Sequence, residues 1–296
     1  PAYLADLARI AREESTRWIT DPALAPGDPV PAGQSPSVQG AVAWRSMGPF
    51  WARSQYNGTY YRAADAGRVN AVRLHPTNPA VAWAATSGGG LWKTTGLGGS
   101  PAPTATPSWT PLTDTLGALA VGSFDVAATD PNVLYVGLGD SFDQQFGGWA
   151  KTTDGGATWT TAAILAGTHP ADGAAVTASA VREVAVDPAN SSHAFFATDA
   201  GLFVTTDGGA TFALASLPKP AAYAASREGL WTIASLGGGG WIASGVYACP
   251  GLNGPNTALQ VGNATACPAP NTALGNLGDV WRSVDGGVTW ASARAA

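Results

Sequence analysis

Short runs of alternating apolar and polar residues recur along this chain, each ended by Gly, Pro, Asn or Asp. The first, Val69-Asn70-Ala71-Val72-Arg73-Leu74, has the period of a strand with one buried face. It breaks at His75-Pro76-Thr77-Asn78-Pro79 and resumes as Val81–Thr86. A second copy runs Ser123–Ala128, breaks at Asp130-Pro131-Asn132 and continues as Val133–Gly137. A third runs Val181–Val186, then Asp187-Pro188, then His193–Thr198. A fourth, weaker copy is Leu230–Ala234, a Gly237–Gly240 turn and Trp241–Ser244. Each predicts two strands joined by a tight turn. His75 stands where Asp130 and Asp187 stand in the other copies, which predicts a turn-capping role for it.

A second pattern follows each of these pairs. Leu91-Trp92-Lys93-Thr94-Thr95, Trp149–Asp154, Leu202–Asp207 and Val280–Asp285 align without gaps. Three of them continue as Asp-Gly-Gly-x-Thr-Trp/Phe, through Asp154, Gly156, Thr158 and Trp159, through Asp207, Gly209, Thr211 and Phe212, and through Asp285, Gly287, Thr289 and Trp290. In the first, Gly96 replaces the Asp, and a Gly- and Pro-rich insertion precedes Trp109. The pattern predicts a hairpin. Asp accepts backbone N–H groups across the turn, the glycines supply positive φ, and the aromatic packs beneath. Each repeat therefore holds four short strands, here lettered A to D. The predicted divisions are 1–40, a helix from Tyr3 to about Ile19 with a Pro-rich strap, and four blades near 41–114, 115–165, 166–217 and 218–296.

Composition narrows the classes. Of 296 residues, 38 are Gly and 22 Pro, and only 12% are charged. Twelve tryptophans demand a buried core, which excludes a disordered chain. A net charge of −5 with 15 Lys+Arg excludes a nucleic-acid footprint. No apolar run is long enough to span a membrane as a helix. Low Lys and an even pair of cysteines, Cys249 and Cys267, point to an exported protein, extracellular or periplasmic, with a disulfide closing a Gly/Pro/Asn-rich loop.

The Ser/Thr-x-Asp-Gly-Gly-x-Thr-Trp/Phe repeats resemble Asp-boxes, also called BNR repeats. They are similar to those of sialidases, the sortilin luminal propeller, xyloglucanases and the photosystem II assembly propeller. The line Trp44–Pro49, Gly67-Arg68-Val69 and Ser87–Thr94 resembles secreted bacterial BNR proteins described as sialidase-like or glycosyl-hydrolase-like. The resemblance covers about residues 44–290. It implies an all-β propeller of four-stranded antiparallel blades in a ring of six to eight, of which four are visible. The rest would come from further blades beyond Ala296 or from a second chain. A complete four-bladed ring is the alternative.

In a propeller the D–A and B–C loops share one face, which usually carries function. Five segments are expected there: 50–67, 138–148, 168–180, 219–228 and 245–279. The first is richest, and Arg53, Tyr56, Tyr60, Tyr61 and Arg62, with Tyr223 and Arg227, are the candidate ligand contacts. Aromatic rings beside arginines can stack a sugar and hold a carboxylate or sulfate. Glycoside hydrolysis needs two carboxyl groups at a defined separation. Asp65, Asp140, Asp143, Asp199 and Glu228 are the weak catalytic candidates, and spacing selects no pair among them. The resemblance to xyloglucanases implies an Asp at the end of strand B of the first blade, but Ser87 stands there. The Arg-Ile-Pro motif of sialidases is absent. His75, His169 and His193 are widely separated and predict no metal site. Calcium at Asp140/Asp143 is the one cofactor considered, and nothing in the spacing supports it. The primary expectation is non-catalytic recognition of a protein or glycan on the loop-rich face. The alternatives are a BNR-type glycoside hydrolase and a structural subunit of an extracellular assembly.

Overall fold

The computed structural model describes residues 52–56, 59–63, 68–97, 107–140, 147–224, 226–247 and 277–294. The chain divides into two compact units, Pro1–Gly67 and Arg68–Ala296. The expected N-terminal helix, Cys249, Cys267, Asp65 and Asp143 lie outside the described residues. No helix among the described residues is long and apolar enough to cross a membrane.

In the first unit, β1 (Ala52–Tyr56) and β2 (Thr59–Ala63) pair antiparallel, with Arg53 opposite Arg62 and Gln55 opposite Tyr60. This segment was expected to be a loop. Asn57-Gly58 between two runs of strand-forming residues is instead the signature of a tight hairpin.

The second unit is a series of four-stranded antiparallel sheets, as expected for propeller blades. Blade I holds β3 (Val69–Leu74), β4 (Ala82–Thr86), β5 (Gly90–Thr94) and β6 (Thr110–Pro111). Blade II holds β7 (Val121–Val126), β8 (Leu134–Leu138), β9 (Trp149–Thr152) and β10 (Thr160–Ala162). A separate hairpin, β11 (Ala166–Thr168) with β12 (Ala175–Thr177), precedes blade III. It too falls where a loop was expected, and it reverses through Asp172-Gly173, with Gly173 at φ +71°. Blade III holds β13 (Val181–Asp187), β14 (Asn190–Thr198), β15 (Gly201–Thr205) and β16 (Ala213–Leu214). Blade IV holds β17 (Glu228–Gly237), β18 (Gly240–Tyr247), β19 (Leu277–Ser283) and β20 (Ala291–Ser292).

Apolar side chains fill the gaps between successive blades. Trp83 and Leu91 of blade I pack against Phe124, Leu134 and Val136 of blade II. Tyr135 and Trp149 of blade II meet Val184, Phe196 and Phe203 of blade III. Phe195 and Leu202 of blade III meet Ile233, Trp241 and Trp281 of blade IV. Fully burying each such side chain contributes about 1.5–3 kcal/mol. These three layers dominate the stability of the arc.

The turns between strands are closed by side-chain acceptors. His75 Nδ1 accepts the amides of Thr77 and Asn78, at 3.2 and 3.0 Å. Asp130 and Asp187 accept the amides of Asn132 and Ala189 in the same way.

The three Asp-Gly-Gly turns share one geometry. Asp154 Oδ1 accepts the Thr158 amide at 2.9 Å and the Thr152 hydroxyl at 2.7 Å, and Oδ2 accepts the Thr158 hydroxyl at 2.6 Å. Asp207 does the same with Thr205 and Thr211, and Asp285 with Ser283 and Thr289. All six glycines have φ between +73° and +100°, a region closed to other residues without strain. The first glycine of each pair ties the turn to its own blade, its amide donating to Asn132 O, Ser192 O or Gly239 O. The second faces the preceding blade. A Cβ there would stand 3.1 Å from Leu112 Cδ1 at Gly156, 2.7 Å from Trp149 Cη2 at Gly209, and 2.3 Å from Phe195 Cζ at Gly287. Further bonds cross the same seam. Lys151 Nζ donates to Gly208 O at 2.8 Å, and Trp159 Nε1 donates to Leu112 O at 3.0 Å.

Those hydrogen bonds hold the turn carboxyls far below the usual range, Asp207 and Asp285 at about 2. The Thr hydroxyl is the largest cause in each case. Depressed folded-state values add stability that is complete above the unfolded value near 3.8 and is lost as pH falls toward 2. Thr211→Val and Thr289→Val should therefore make the loss of stability between pH 4 and pH 2 shallower. Urea midpoints measured across that range check it, and an unchanged slope contradicts it.

Candidate functional site at the inner-strand ends

The inner strands β3, β7, β13 and β17 are neighbours in the arc. Each carries a β-bulge at the same place, between Val69 and Ala71, Val121 and Ser123, Val181 and Glu183, and Leu230 and Thr232. A bulge re-aims the extra side chain and bends its strand. The four bulged residues are Asn70, Gly122, Arg182 and Trp231. Gly122 is fixed by packing, since a Cβ there would meet Val181 O at 1.9 Å. The other three bring an amide, a guanidinium and an indole to the loop-rich ends of the inner strands.

Two polar clusters form around them. At blades I and II, Asn70 Nδ2 donates to Val121 O at 2.7 Å and to Asp140 Oδ2 at 2.6 Å. Arg68 Nη2 pairs with Asp140 Oδ1 at 2.5 Å and also donates to Ser87 Oγ at 3.1 Å. Asp140 is buried and both its oxygens are engaged. At blades III and IV, the Arg182 guanidinium lies 4.3 Å from the centre of the Trp231 ring and donates to Leu230 O at 3.2 Å. Burial lowers its pKa to about 10, against the opposing pull of Asp199.

Further along the inner strands, Arg73 of blade I bonds Asp125 of blade II at 3.2 Å and Glu183 of blade III at 2.7 Å. Asp125 Oδ2 also accepts the Val186 amide at 2.8 Å. Burial pushes both carboxyls above their usual range, and Arg73 only partly offsets this. One guanidinium thus clamps three blades.

Asp199 ends strand B of blade III. It accepts the amides of Ser179 and Ala180 at 2.9 and 3.1 Å, and the Ser179 hydroxyl. Ser87, Gly139 and Asp199 are equivalent, because their amides donate to Arg68, Ala120 and Ala180 carbonyls in turn. A carboxylate occupies that position only in blade III.

Glu228 opens β17 and is buried with Lys219, Nζ to Oε2 at 2.7 Å. Lys219 also donates to Ser226 O at 2.7 Å. His169, in the loop joining β11 and β12, brings Nε2 within 3.5 Å of Glu228 Oε1 and Nδ1 within 3.4 Å of Asp172. Asp172 pairs with Arg227 at 2.6 Å. Burial pushes the Glu228 carboxyl up, but His169 and Lys219 together leave it below the usual range. Tyr223 is buried, its ring 5.6 Å from that of Tyr247. Tyr247 donates its hydroxyl to Asp279, which also accepts the Ser292 hydroxyl at 2.5 Å.

The structure therefore places Asp140, Asp199 and Glu228 at the loop-rich ends of their blades but in three separate clusters, each bound internally. Arg227 and Tyr223 join the Glu228 cluster. Arg53, Tyr56, Tyr60, Tyr61 and Arg62 lie on the β1–β2 hairpin, of which the backbone is described. Trp231, Arg73, Lys219 and Asp279 escaped the sequence reading. Trp231 was legible in principle, as an aromatic in the inner-strand position that holds Asn, Gly and Arg elsewhere. Among the described residues no group of three His, Cys, Asp or Glu side chains is placed to hold a metal ion.

No family model matches the chain. It is 28% identical over 245 residues to a xyloglucanase of Hypocrea jecorina, covering 74% of this chain and 26% of that enzyme. It is 28% identical over 200 residues to a xyloglucanase of a Paenibacillus species, covering 63% of this chain and 18% of that enzyme. The chain thus spans about a quarter or less of the length of these curated relatives. Among solved structures, an ancestral GH74 enzyme aligns with a TM-score of 0.48 at 15% identity, over 76% of this chain and 25% of that one. YCF48 from Cyanidioschyzon merolae aligns with a TM-score of 0.33 at 13% identity, over 80% of this chain and 76% of that one.

A Glu228→Gln substitution should reveal what that carboxylate does for the fold. It leaves the Lys219 ammonium buried without its counter-ion, at an expected loss of about 3–5 kcal/mol. The double variant Lys219→Met/Glu228→Leu should recover most of it. Denaturant unfolding measures both. A Glu228→Gln protein as stable as wild type would show that the pair has no structural role.

Proposed function

We propose that the chain forms four blades of a propeller of glycoside-hydrolase type, acting outside the cell on a xyloglucan-class polysaccharide. The observation that carries this is the 28% identity over 245 residues to a xyloglucanase. The inner-strand geometry supports it chemically. A half-buried indole, an arginine stacked on it, and the amide and guanidinium of Asn70 and Arg68 at blade I suit a glucan chain, whose sugar rings offer apolar C–H faces edged with hydroxyls.

A second reading is non-catalytic glycan recognition, and one observation favours it. Hydrolysis needs two carboxyl groups about 5–10 Å apart, one of them free to protonate the leaving oxygen. Asp140, Asp199 and Glu228 are all committed to arginine, lysine, amide or hydroxyl partners. Asp65 and Asp143 are then the candidates left for cleavage.

Calorimetric titration with xyloglucan oligosaccharides, together with an assay of reducing ends, tests both readings. Binding is expected, and Trp231→Ala should weaken it about tenfold, or ~1.4 kcal/mol. Release of reducing ends that is lost in Asp65→Asn or Asp143→Asn would establish the hydrolase. Binding without release would favour recognition. Neither binding nor release would overturn the proposal.

A further inference from the structure

The β11–β12 hairpin lies across three blades. Its base is tied to blade II, where the Leu165 amide donates to Gly147 O at 2.6 Å, and the Ala178 amide closes the hairpin on Leu165 O at 2.9 Å. Its middle rests on blade III, since a Cβ at Gly167 would stand 2.9 Å from Leu214 Cδ1 and 3.1 Å from Phe203 Cε1. Its tip meets the start of blade IV through charged side chains.

His169 is the centre of that attachment. It is 2% exposed, and its ring lies between two carboxylates. Nε2 is 3.5 Å from Glu228 Oε1, at the start of β17, and Nδ1 is 3.4 Å from Asp172 Oδ1, on the tip itself. The other oxygen of each carboxylate is already taken. Lys219 Nζ is 2.7 Å from Glu228 Oε2, and Arg227 Nη2 is 2.6 Å from Asp172 Oδ2. Asp172 Oδ1 also accepts the Ala174 amide at 3.1 Å. Tyr247 of β18 faces Glu228 as well, but its hydroxyl donates to Asp279, and the Tyr223 ring packs on it.

The hydrogen bonds fix the tautomer. Nδ1 accepts the Ala171 amide at 3.3 Å, which places the proton of the neutral ring on Nε2. Nε2 is buried without a hydrogen-bond partner, and a buried donor left unmade destabilises the fold. A second proton, on Nδ1, changes both contacts. Nδ1–H gives up the Ala171 amide for Asp172 Oδ1, and the positive charge draws Nε2–H and Glu228 Oε1 into hydrogen-bond distance. The two carboxylates touch the ring directly, whereas Lys219 and Arg227 sit on their far oxygens. Charging the ring therefore strengthens the attachment. His75 supplies the contrast. It caps a His-Pro turn through Nδ1 in the same way, but its ring stacks on Trp83 at 5.8 Å.

We propose that His169 is a pH-operated clasp, which fastens the β11–β12 hairpin to blade IV when protonated and loosens it when neutral. The loop-rich face is then stiffer in acid than above neutral pH. The inference is independent of the ligand. Asp172 is held below the usual carboxylate range by its bond to Arg227. Burial alone would raise Glu228, but His169 and Lys219 hold it below that range too. Between about pH 5.5 and pH 8 the imidazole is thus the group of this cluster that changes charge.

Hydrogen exchange at about pH 5.5 and pH 8, read by mass spectrometry and corrected for the intrinsic rate at each pH, tests the clasp. Residues 166–177 should be protected about tenfold more at the lower pH, the effect of one charge-assisted hydrogen bond. His169→Gln keeps a side-chain amide but carries no titrating charge, so its protection should be equal at the two values. Nitrogen NMR of wild-type protein labelled at its three histidines follows the ring itself without a substitution. It should show the His169 proton on Nε2 at the higher pH and protons on both nitrogens at the lower. Wild-type protection that is equal at the two values, or greater at the higher, overturns the proposal. So does a pH dependence that persists in His169→Gln, or a His169 ring that keeps one protonation state throughout.

Discussion

The seam between successive blades is the constraint on which the rest of this structure depends. A single four-stranded sheet exposes two apolar faces and cannot stand alone in water. Each blade is covered by the next, and the Asp-Gly-Gly turn is where that covering becomes specific. The Asp and Thr oxygens fix the turn, the first glycine anchors it to its own blade, and the second leaves room for a side chain of the blade before it. At Gly209 that side chain is Trp149, and at Gly287 it is Phe195. A methyl group at either glycine would occupy space already filled by the neighbouring ring.

A second set of bonds fixes the inner strands. Arg73 reaches the carboxylates of two other blades, and Asn70 reaches from blade I to Val121 and Asp140. These charges lie along the inner strands, where reactive groups were expected. They are instead spent on aligning the blades, which is why the carboxylates along the inner strands make poor candidates for acid–base chemistry.

Most of the fold was legible in the sequence because the signals are local and repeated. Alternation marked the strands, Asp-Pro and His75-Pro76 marked the turns, and the aligned Asp-Gly-Gly segments gave the blade period. The hairpins β1–β2 and β11–β12 were missed because each was read as a loop between larger elements, although Asn57-Gly58 and Asp172-Gly173 are turn signals. The candidate site was less legible for a physical reason. Whether Asp140 or Glu228 is free or paired depends on Arg68 and Lys219, and only folding brings those cations to the carboxylates. Trp231 looked like one more strand residue until the bulge placed it beneath Arg182. The glucan ligand is a proposal that rests on 28% identity to a xyloglucanase, while the internal pairing of the described carboxylates bears on whether cleavage occurs at them.

The claim that each turn holds the blade before it can be tested by hydrogen exchange in a Gly209→Ala variant, read by mass spectrometry. The account predicts faster exchange in β8 and β9 of blade II as well as around the altered turn in blade III, because the added methyl displaces Trp149. Faster exchange confined to residues 205–214, with blade II unchanged, would contradict it.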